Sequence, residues 1–482
     1  MNRTAGLIAL GAVAVRAAAA GMVKVIDPDS ARNLRMAELI TEGRFADALS
    51  VQTPTPPLHP FLTSLLGIPL DNLLVAGVVV SAVLGGLAAL PLYAMARRAW
   101  DDRVATTAAL LYALLPAAVD VQAEAMTEGT LSFFFLGSLW LGWQGLEERS
   151  WEKIAVAAGG AALAWLSRPE GIYLPPMFLV AALLRFSRFS IPALALFGAV
   201  LLVLAFPYLC FIHAQTCHWS PSLSSIPDVL RNALQGNRNE ALAAQDYAEY
   251  RAVARYGILL GGGGHLLANL FGKVLFYVTG PFLLIGLFRP RPAPGGRPIL
   301  LYQGIAAATY LAPILLSFYA STAFSHRFLL IPAALLLGFT AAGFIRVAEW
   351  TRQPRAVTVL VAAICLAMLV RDLRPRRSDK IAFKEAGLAI LQTLGPGRRL
   401  VTTNRQIEYY ARSAYLPLRP MPTFDEIERQ QPDVIALCPP DLRRWEPDLR
   451  QRVEERYDLM AEFTSTPDTS LLPVRVYRAR RH

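Results

Sequence analysis

Asp27 and Asp29 flank Pro28 directly after a first apolar run that begins at Thr4. A carboxylate at the mouth of a membrane helix can take a proton from a hydroxyl held in a dry cavity, or hold a divalent cation. The alternative is that Asp27 and Asp29 cap a helix starting near Ser30, where negative charge complements the helix dipole. Spacing alone leaves these two readings even. Downstream, Pro54-Thr55-Pro56-Pro57-Leu58-His59-Pro60 carries one imidazole. Glu124 and Glu128 are four apart, so on a helix they share a face and repel unless they meet water, a cation or a basic side chain. Arg168, in Ser167-Arg168-Pro169-Glu170, offers a planar fork that suits a phosphate, or else a salt bridge to Glu170. His326-Arg327 heads a late apolar block, and by type alone this pair reads first as an interfacial anchor.

Long apolar blocks must position these side chains. Of 482 residues, 54% are apolar and 17% charged, against roughly 25% charged in an ordinary soluble domain. That balance argues against a soluble enzyme. The first block, Thr4 to Val23, resembles a signal sequence in its Ala-rich end, but Arg16 interrupts it and the acidic segment after it needs an anchored helix, so it reads as retained. Ten further blocks follow, at about 71–95, 104–122, 128–146, 154–167, 171–185, 191–213, 267–288, 299–319, 328–346 and 356–371, for about eleven transmembrane helices. With the N-terminus inside, four Arg-bearing gaps (Arg97, Arg98 and Arg103; Arg185 and Arg188; Arg289, Arg291 and Arg297; Arg346, Arg352 and Arg355) fall on the cytoplasmic side, as the positive-inside rule requires. The blocks 154–167 and 171–185 are short for a full crossing and meet at the polar Arg168 break, which is tolerable only where it lines a cavity.

The net charge of +11 is explained by these loop anchors, and no basic stretch interleaved with aromatics suggests nucleic-acid binding. Four cysteines without a C-x-x-C pair argue against a disulfide framework or structural zinc; Cys210 and Cys217 read as two unpaired small residues rather than a bridge. Gly261 to Gly264 precede His265 and Leu266 instead of the Lys and Ser or Thr of a phosphate-binding loop.

The predicted organisation is a membrane domain over 1–371, with outer loops at about 24–71 and 214–266, followed by an extracytoplasmic α/β domain over 372–482. In the last part, helical stretches at 382–394 and 405–412 alternate with β-prone runs at 399–403, 434–438 and 472–477. In the second outer loop, Trp219, Asp246, Tyr247, Tyr250 and Arg251 read as an amphipathic helix on the membrane surface in preference to a gate over the cavity.

An acidic pair after the first span, then Pro-Pro-Leu-His-Pro, Met-Thr-Glu, Ser-Arg-Pro-Glu-Gly and His-Arg-Phe-Leu-Leu-Ile-Pro, in that order, resembles the polytopic GT-C glycosyltransferases. The similarity covers about residues 1–370 and is strongest to bacterial relatives of the protein O-mannosyltransferases and of the aminoarabinose transferase that modifies lipid A. It implies an α-helical polytopic, GT-C-like enzyme of the cell envelope that moves one sugar from a polyprenyl-phosphate donor, with inversion, on the outer face of a bacterial inner membrane. The implied partners are that lipid-linked sugar, a lipid, glycan or protein acceptor, and membrane lipids. Asp27 and Glu128 take the catalytic acidic positions, Arg168 and Arg327 the donor phosphate, and Asp29, His59 and Glu124 further substrate contacts. The resemblance leaves metal dependence open; a divalent cation is the one candidate cofactor, with Asp27 and Glu128 its holders. Pro54-Thr55 before Pro56 departs from relatives that carry Glu-Lys or His there. The competing classes are a secondary transporter or lipid flippase, disfavoured by the absence of an evident repeat, and a structural membrane subunit.

Overall fold

In the computed structural model, residues 3–50, 56–217, 219, 263–288, 290–320, 325–416, 423–438, 447–464 and 473–480 are described; the 246–251 part of the second outer loop lies outside them. They form two compact units, one of Met1–Ala20 with Ile40–Leu373, the other of Gly21–Leu39 with Arg374–His482.

The first unit is helical: α1 Arg3–Ala20, the end of α2 Pro28–Thr41, α3 Phe45–Ser50, α4 Leu58–Leu70, α5 Leu73–Leu87, α6 Ala89–Ala99, α7 Asp102–Ala113, α8 Pro116–Gln122, α9 Glu128–Glu148, α10 Trp151–Ser167, α11 Leu174–Leu184, α12 Ser190–Thr216, α13 Gly263–Asn269, α14 Gly280–Phe288, α15 Arg297–Ala320, α16 Leu330–Thr351 and α17 Pro354–Asp372. Boundaries follow local chemistry. Asn72 Oδ1 accepts from Val75 N at 3.1 Å, Asp101 Oδ1 from Val104 N at 2.8 Å and Ser150 Oγ from Lys153 N at 3.3 Å, each satisfying an orphan donor of a helix start.

Among the described residues, six helices are long and apolar enough to cross a membrane, Arg3–Ala20, Leu73–Ala99, Ser190–Ala214, Arg297–Leu315, His326–Thr351 and Pro354–Asp372; the pair α7 and α8, bent by 50°, makes seven if it is one span. The expected eleven is thus not confirmed. The block 154–167 emerges as a helix of 17 residues, 171–185 lies in the shorter apolar helix Pro169–Leu184, and 267–288 is broken between Val274 and Gly280. Each is too short or too interrupted to count as a span by itself.

Without a hydrophobic drive between helices in lipid, close backbone approach must hold the bundle. It does so where α14 crosses α16: a Cβ on Gly286 would lie 1.9 Å from Phe339 O, and one on Gly343 1.9 Å from Phe282 O. The intramembrane cation Arg16 is fully buried, and two of its three nitrogens are engaged. Its Nε donates to Gln122 Oε1 at 2.7 Å and its Nη1 to the carbonyls of Ala12 and Ala113 at 2.9 and 3.1 Å. Gln122 in turn donates to Ser132 Oγ at 3.1 Å, and Ser132 donates to Glu128 O at 2.7 Å, so the first helix is tied to the first turn of α9. None of the four cysteines forms a disulfide.

The second unit holds a five-stranded sheet, β1 Arg399–Thr402, β2 Ala414–Leu416, β3 Val434–Leu437, β4 Tyr457–Phe463 and β5 Val474–Ala479, in the order β2-β1-β3-β5-β4. β1 pairs parallel with β2 and β3, in register Leu400 to Val434, while β5 pairs antiparallel with β3 and β4. Successive residues of β3 point to opposite faces and all are buried, as a sheet covered on both sides demands. Val434 and Ala436 pack with Ala386 and Ile390 of α18 Ile381–Leu394 and with Ile407 of α19 Arg405–Ala411. Ile435 and Leu437 pack on the other face with Ile427 of α20 Phe424–Arg429 and Val453 of α21 Pro447–Arg456. Residues 21–39 join this unit through backbone bonds: Lys24 N donates to Arg376 O at 3.2 Å and Arg376 N to Met22 O at 3.0 Å.

Glu408 on α19 is buried, and loss of solvent pushes its carboxyl up to about 7, opposed by Arg405 and Arg35 and reinforced by Glu38. A carboxyl lifted in the folded state binds its proton better there than in the unfolded chain. Its stabilisation is therefore complete below the ordinary value of 4.5 and is lost as pH rises through about 7. Amide exchange of the 399–411 segment in the detergent-solubilised protein, corrected for intrinsic rates, is expected to show local stability falling by up to about 3 kcal/mol between pH 4.5 and 7.5. Glu408→Gln should flatten that dependence; an unchanged slope would assign it to other groups.

Candidate active site

Glu128 is the first residue of α9 and is buried. Its neighbour Gly129 explains how: a Cβ there would lie 2.2 Å from Ser81 O, so only glycine lets the start of α9 press against α5. Across from it, α10 ends at Arg168, whose extended backbone (φ −156°, ψ 148°) is what a following proline imposes. The chain then makes a 3-10 turn over Pro169–Tyr173. Gly171 permits the reversal, since a Cβ there would lie 2.2 Å from Trp165 N.

These constraints bring two guanidinium groups against two carboxylates. Arg168 Nη1 donates to Glu128 Oε1 at 2.5 Å and to Thr127 Oγ1 at 3.4 Å. Its Nε lies 3.2 Å from both oxygens of Glu170, and its Nη2 donates to Glu170 Oε1 at 2.8 Å. Arg327, from the 3-10 turn His326–Leu329 that leads into α16, sets its Nε 3.7 Å from Glu128 Oε1. The guanidinium groups of Arg168 and Arg327 lie over the Phe328 ring at 5.5 and 5.8 Å. Among the described residues Glu128 Oε2 is buried without a hydrogen-bond partner, an unmet acceptor that costs free energy unless a ligand or water serves it. Tyr310 of α15 closes the wall of a narrow cavity of about 10 Å³, held edge-on by Phe135 and Tyr173 at 5.4 and 5.2 Å. Such a cluster can bind an anion on its arginines and offer a carboxylate beside it.

Of the residues singled out by sequence, the structure thus brings together Glu128, Arg168 and Arg327. His59 and Glu124 lie in the same unit. His59 is buried with Nδ1 3.1 Å from Thr130 Oγ1, bracing α4 on α9, and Glu124 is buried in the turn before α9, where its carbonyl accepts from Met126 N at 2.7 Å. Asp27 and Asp29 belong to the second unit. Asp27 Oδ1 accepts from Asp29 N at 2.8 Å, which is the helix-capping geometry, and its Oδ2 accepts from Arg377 Nη2 at 2.5 Å; Asp29 pairs with Arg32 at 3.2 Å. Sequence reasoning gave Glu170 only as a partner for Arg168 and did not single out Thr127 or Tyr310. A tyrosine within an apolar block reads as core, so nothing local marks Tyr310.

A family model described as dolichyl-phosphate-mannose-protein mannosyltransferase matches residues 54–211. Among solved structures, ArnT from Cupriavidus metallidurans in the apo state aligns with a TM-score of 0.67 at 15% identity, over 98% of this chain and 97% of that one. The chain has the GT-C glycosyltransferase fold. The same ArnT bound to undecaprenyl phosphate aligns with this chain at a TM-score of 0.62 and 15% identity, with the same coverage. The Archaeoglobus fulgidus oligosaccharyltransferase in complex with Zn and sulfate gives 0.58 at 14% identity, over 90% of this chain and 67% of that one. No protein of curated function matches the sequence. With its apolar helices and this fold, the chain is an integral membrane protein.

The residues present do not fit a divalent cation. Glu128 shares Oε1 between two guanidinium groups and Asp27 is paired with Arg377, so a metal ion at either carboxylate meets fixed positive charge. Among the described residues, no group of three or more His, Cys, Asp or Glu side chains is arranged to hold a metal.

Proposed function

We propose that this chain transfers a monosaccharide from a polyprenyl-phosphate donor to a hydroxyl of a lipid, glycan or protein acceptor, on the outer face of a bacterial cytoplasmic membrane, with the N-terminus inside. The observation that carries this reading is the Arg168, Arg327 and Glu128 cluster, which lines a cavity in a helical membrane fold shared with an ArnT that binds undecaprenyl phosphate. Lipid-phosphate chemistry needs cationic stabilisation of the departing phosphate oxygen, and guanidinium supplies it without a metal. In the proposed reaction the acceptor oxygen forms a bond to the anomeric carbon as the bond from that carbon to the phosphate oxygen breaks. The electron pair leaves with the phosphate, and the hydroxyl proton goes to a carboxylate. Asp27, from its place in the sequence, is assigned as that base, and a single displacement inverts the anomeric centre.

Native mass spectrometry of the gently purified protein, with and without added undecaprenyl phosphate, tests this. Saturable capture of the lipid phosphate, or a co-purified polyprenyl monophosphate bearing one sugar, is expected. Failure to retain undecaprenyl phosphate under conditions that keep the protein folded would remove the donor class. Capture of an unrelated solute, together with its movement into vesicles, would favour a transporter.

A further inference from the structure

A guanidinium offers five N–H donors in a fixed fork, and the edge formed by Nε and Nη2 is one that a phosphate can take with two parallel bonds. On Arg168 that edge is occupied by Glu170, while Nη1 is engaged by Glu128 and Thr127. Arg168 and Arg327 face Glu128 and Glu170, so the cluster is already charge-balanced, and Arg168 is largely saturated. An arriving phosphate must therefore displace a carboxylate. Glu170 is two residues along the same turn, so a displaced carboxylate remains tethered beside the guanidinium at high effective concentration.

The two forms of the lipid differ in charge. A sugar-bearing phosphodiester carries one negative charge, whereas the monoester left after transfer carries about 1.5 to 2 at neutral pH. The spent carrier thus binds arginine more tightly than the donor does, and without a competitor it would hold the site. We propose that Glu170 is a tethered competitor for the phosphate: it cedes the Nε and Nη2 edge of Arg168 to the donor and retakes it to expel the polyprenyl monophosphate. The proposal rests on the reading of Arg168 as the phosphate-binding group given above. Glu170 accordingly acts on product release and takes no part in bond making.

The test is the affinity of wild-type protein, Glu170→Gln and Glu170→Asp for undecaprenyl phosphate in nanodiscs, alongside thermal unfolding. Glutamine keeps the size and one acceptor but removes the charge, so Glu170→Gln is expected to bind the monophosphate about tenfold more tightly, the equivalent of roughly 1.4 kcal/mol. A residue that merely braces Arg168 would give the opposite sign. Equal or weaker binding by Glu170→Gln, with wild-type binding intact, overturns the proposal and spares the donor assignment. Absence of binding by the wild type overturns the donor assignment itself, and the proposal falls with it. Should Glu170→Gln not fold, Glu170→Asp, whose shorter side chain loses the two-point contact, is read by the same criteria.

Discussion

Asp27→Asn is expected to lower sugar transfer by about 100- to 10,000-fold, the usual contribution of a general base, while leaving thermal stability nearly unchanged. The structure makes this substitution unusually clean. Asp27 caps α2 by accepting from Asp29 N, and asparagine caps a helix as well as aspartate does. What is lost is the negative charge and the ion pair with Arg377, which is partly exposed and therefore worth little to stability. The capping reading of Asp27 predicts the reverse outcome, because a cap alone survives the change to asparagine. Full turnover by Asp27→Asn, assayed with a radiolabelled lipid-linked sugar, would leave Asp27 as a structural residue. A second variant, Arg377→Gln, separates the ion pair from the base: it removes the pair but keeps the carboxylate, so it should cost far less activity than Asp27→Asn.

Much of the fold was legible in the sequence, because apolar block length and alternation are local signals. The helices at 381–394 and 405–411 and the strands at 399–402, 434–437 and 474–479 fall within a few residues of the expected runs. β2 and β4 were not. Ala414–Leu416 is three residues long, too short for an alternation to register. Tyr457–Phe463 is an edge strand whose exposed Asp458 and Glu462 mask its pattern, a common way to blunt an edge. The pairing of residues 21–39 with the chain beyond Arg374 left no trace, since bonds such as Ile26 N to Tyr410 OH join positions 384 apart. The cluster was half legible. Residue type flagged Glu128, Arg168 and Arg327, but their meeting depends on where α9, α10 and α16 begin and end. The glycines that permit it, Gly129 and Gly171, look ordinary until the opposing backbone is seen.

Arg168→Ala should be the most damaging substitution in the cavity, both to folding and to donor binding. Glu128 and Glu170, with 4% and 13% of their side chains exposed, would lose their shared partner, leaving Arg327 as the cation beside Glu128 among the described residues. Breaking a buried pair from one side costs about 3–5 kcal/mol, because the remaining charge is neither solvated nor compensated. Loss of activity in Arg168→Ala is therefore ambiguous, and Arg168→Lys resolves it. Lysine keeps the positive charge that both carboxylates need, so the protein should unfold within a few degrees of wild type. It lacks the planar fork, however, and cannot hold a phosphate by two parallel bonds. Binding of undecaprenyl phosphate by Arg168→Lys is expected to weaken by about tenfold to 100-fold, or roughly 1.4 to 2.8 kcal/mol. If Arg168→Lys folds and binds the lipid phosphate as tightly as wild type does, Arg168 is only a brace for Glu128 and Glu170. The phosphate would then have to be sought at Arg327, whose 3.7 Å approach to Glu128 is the longer of the two arginine contacts to that carboxylate.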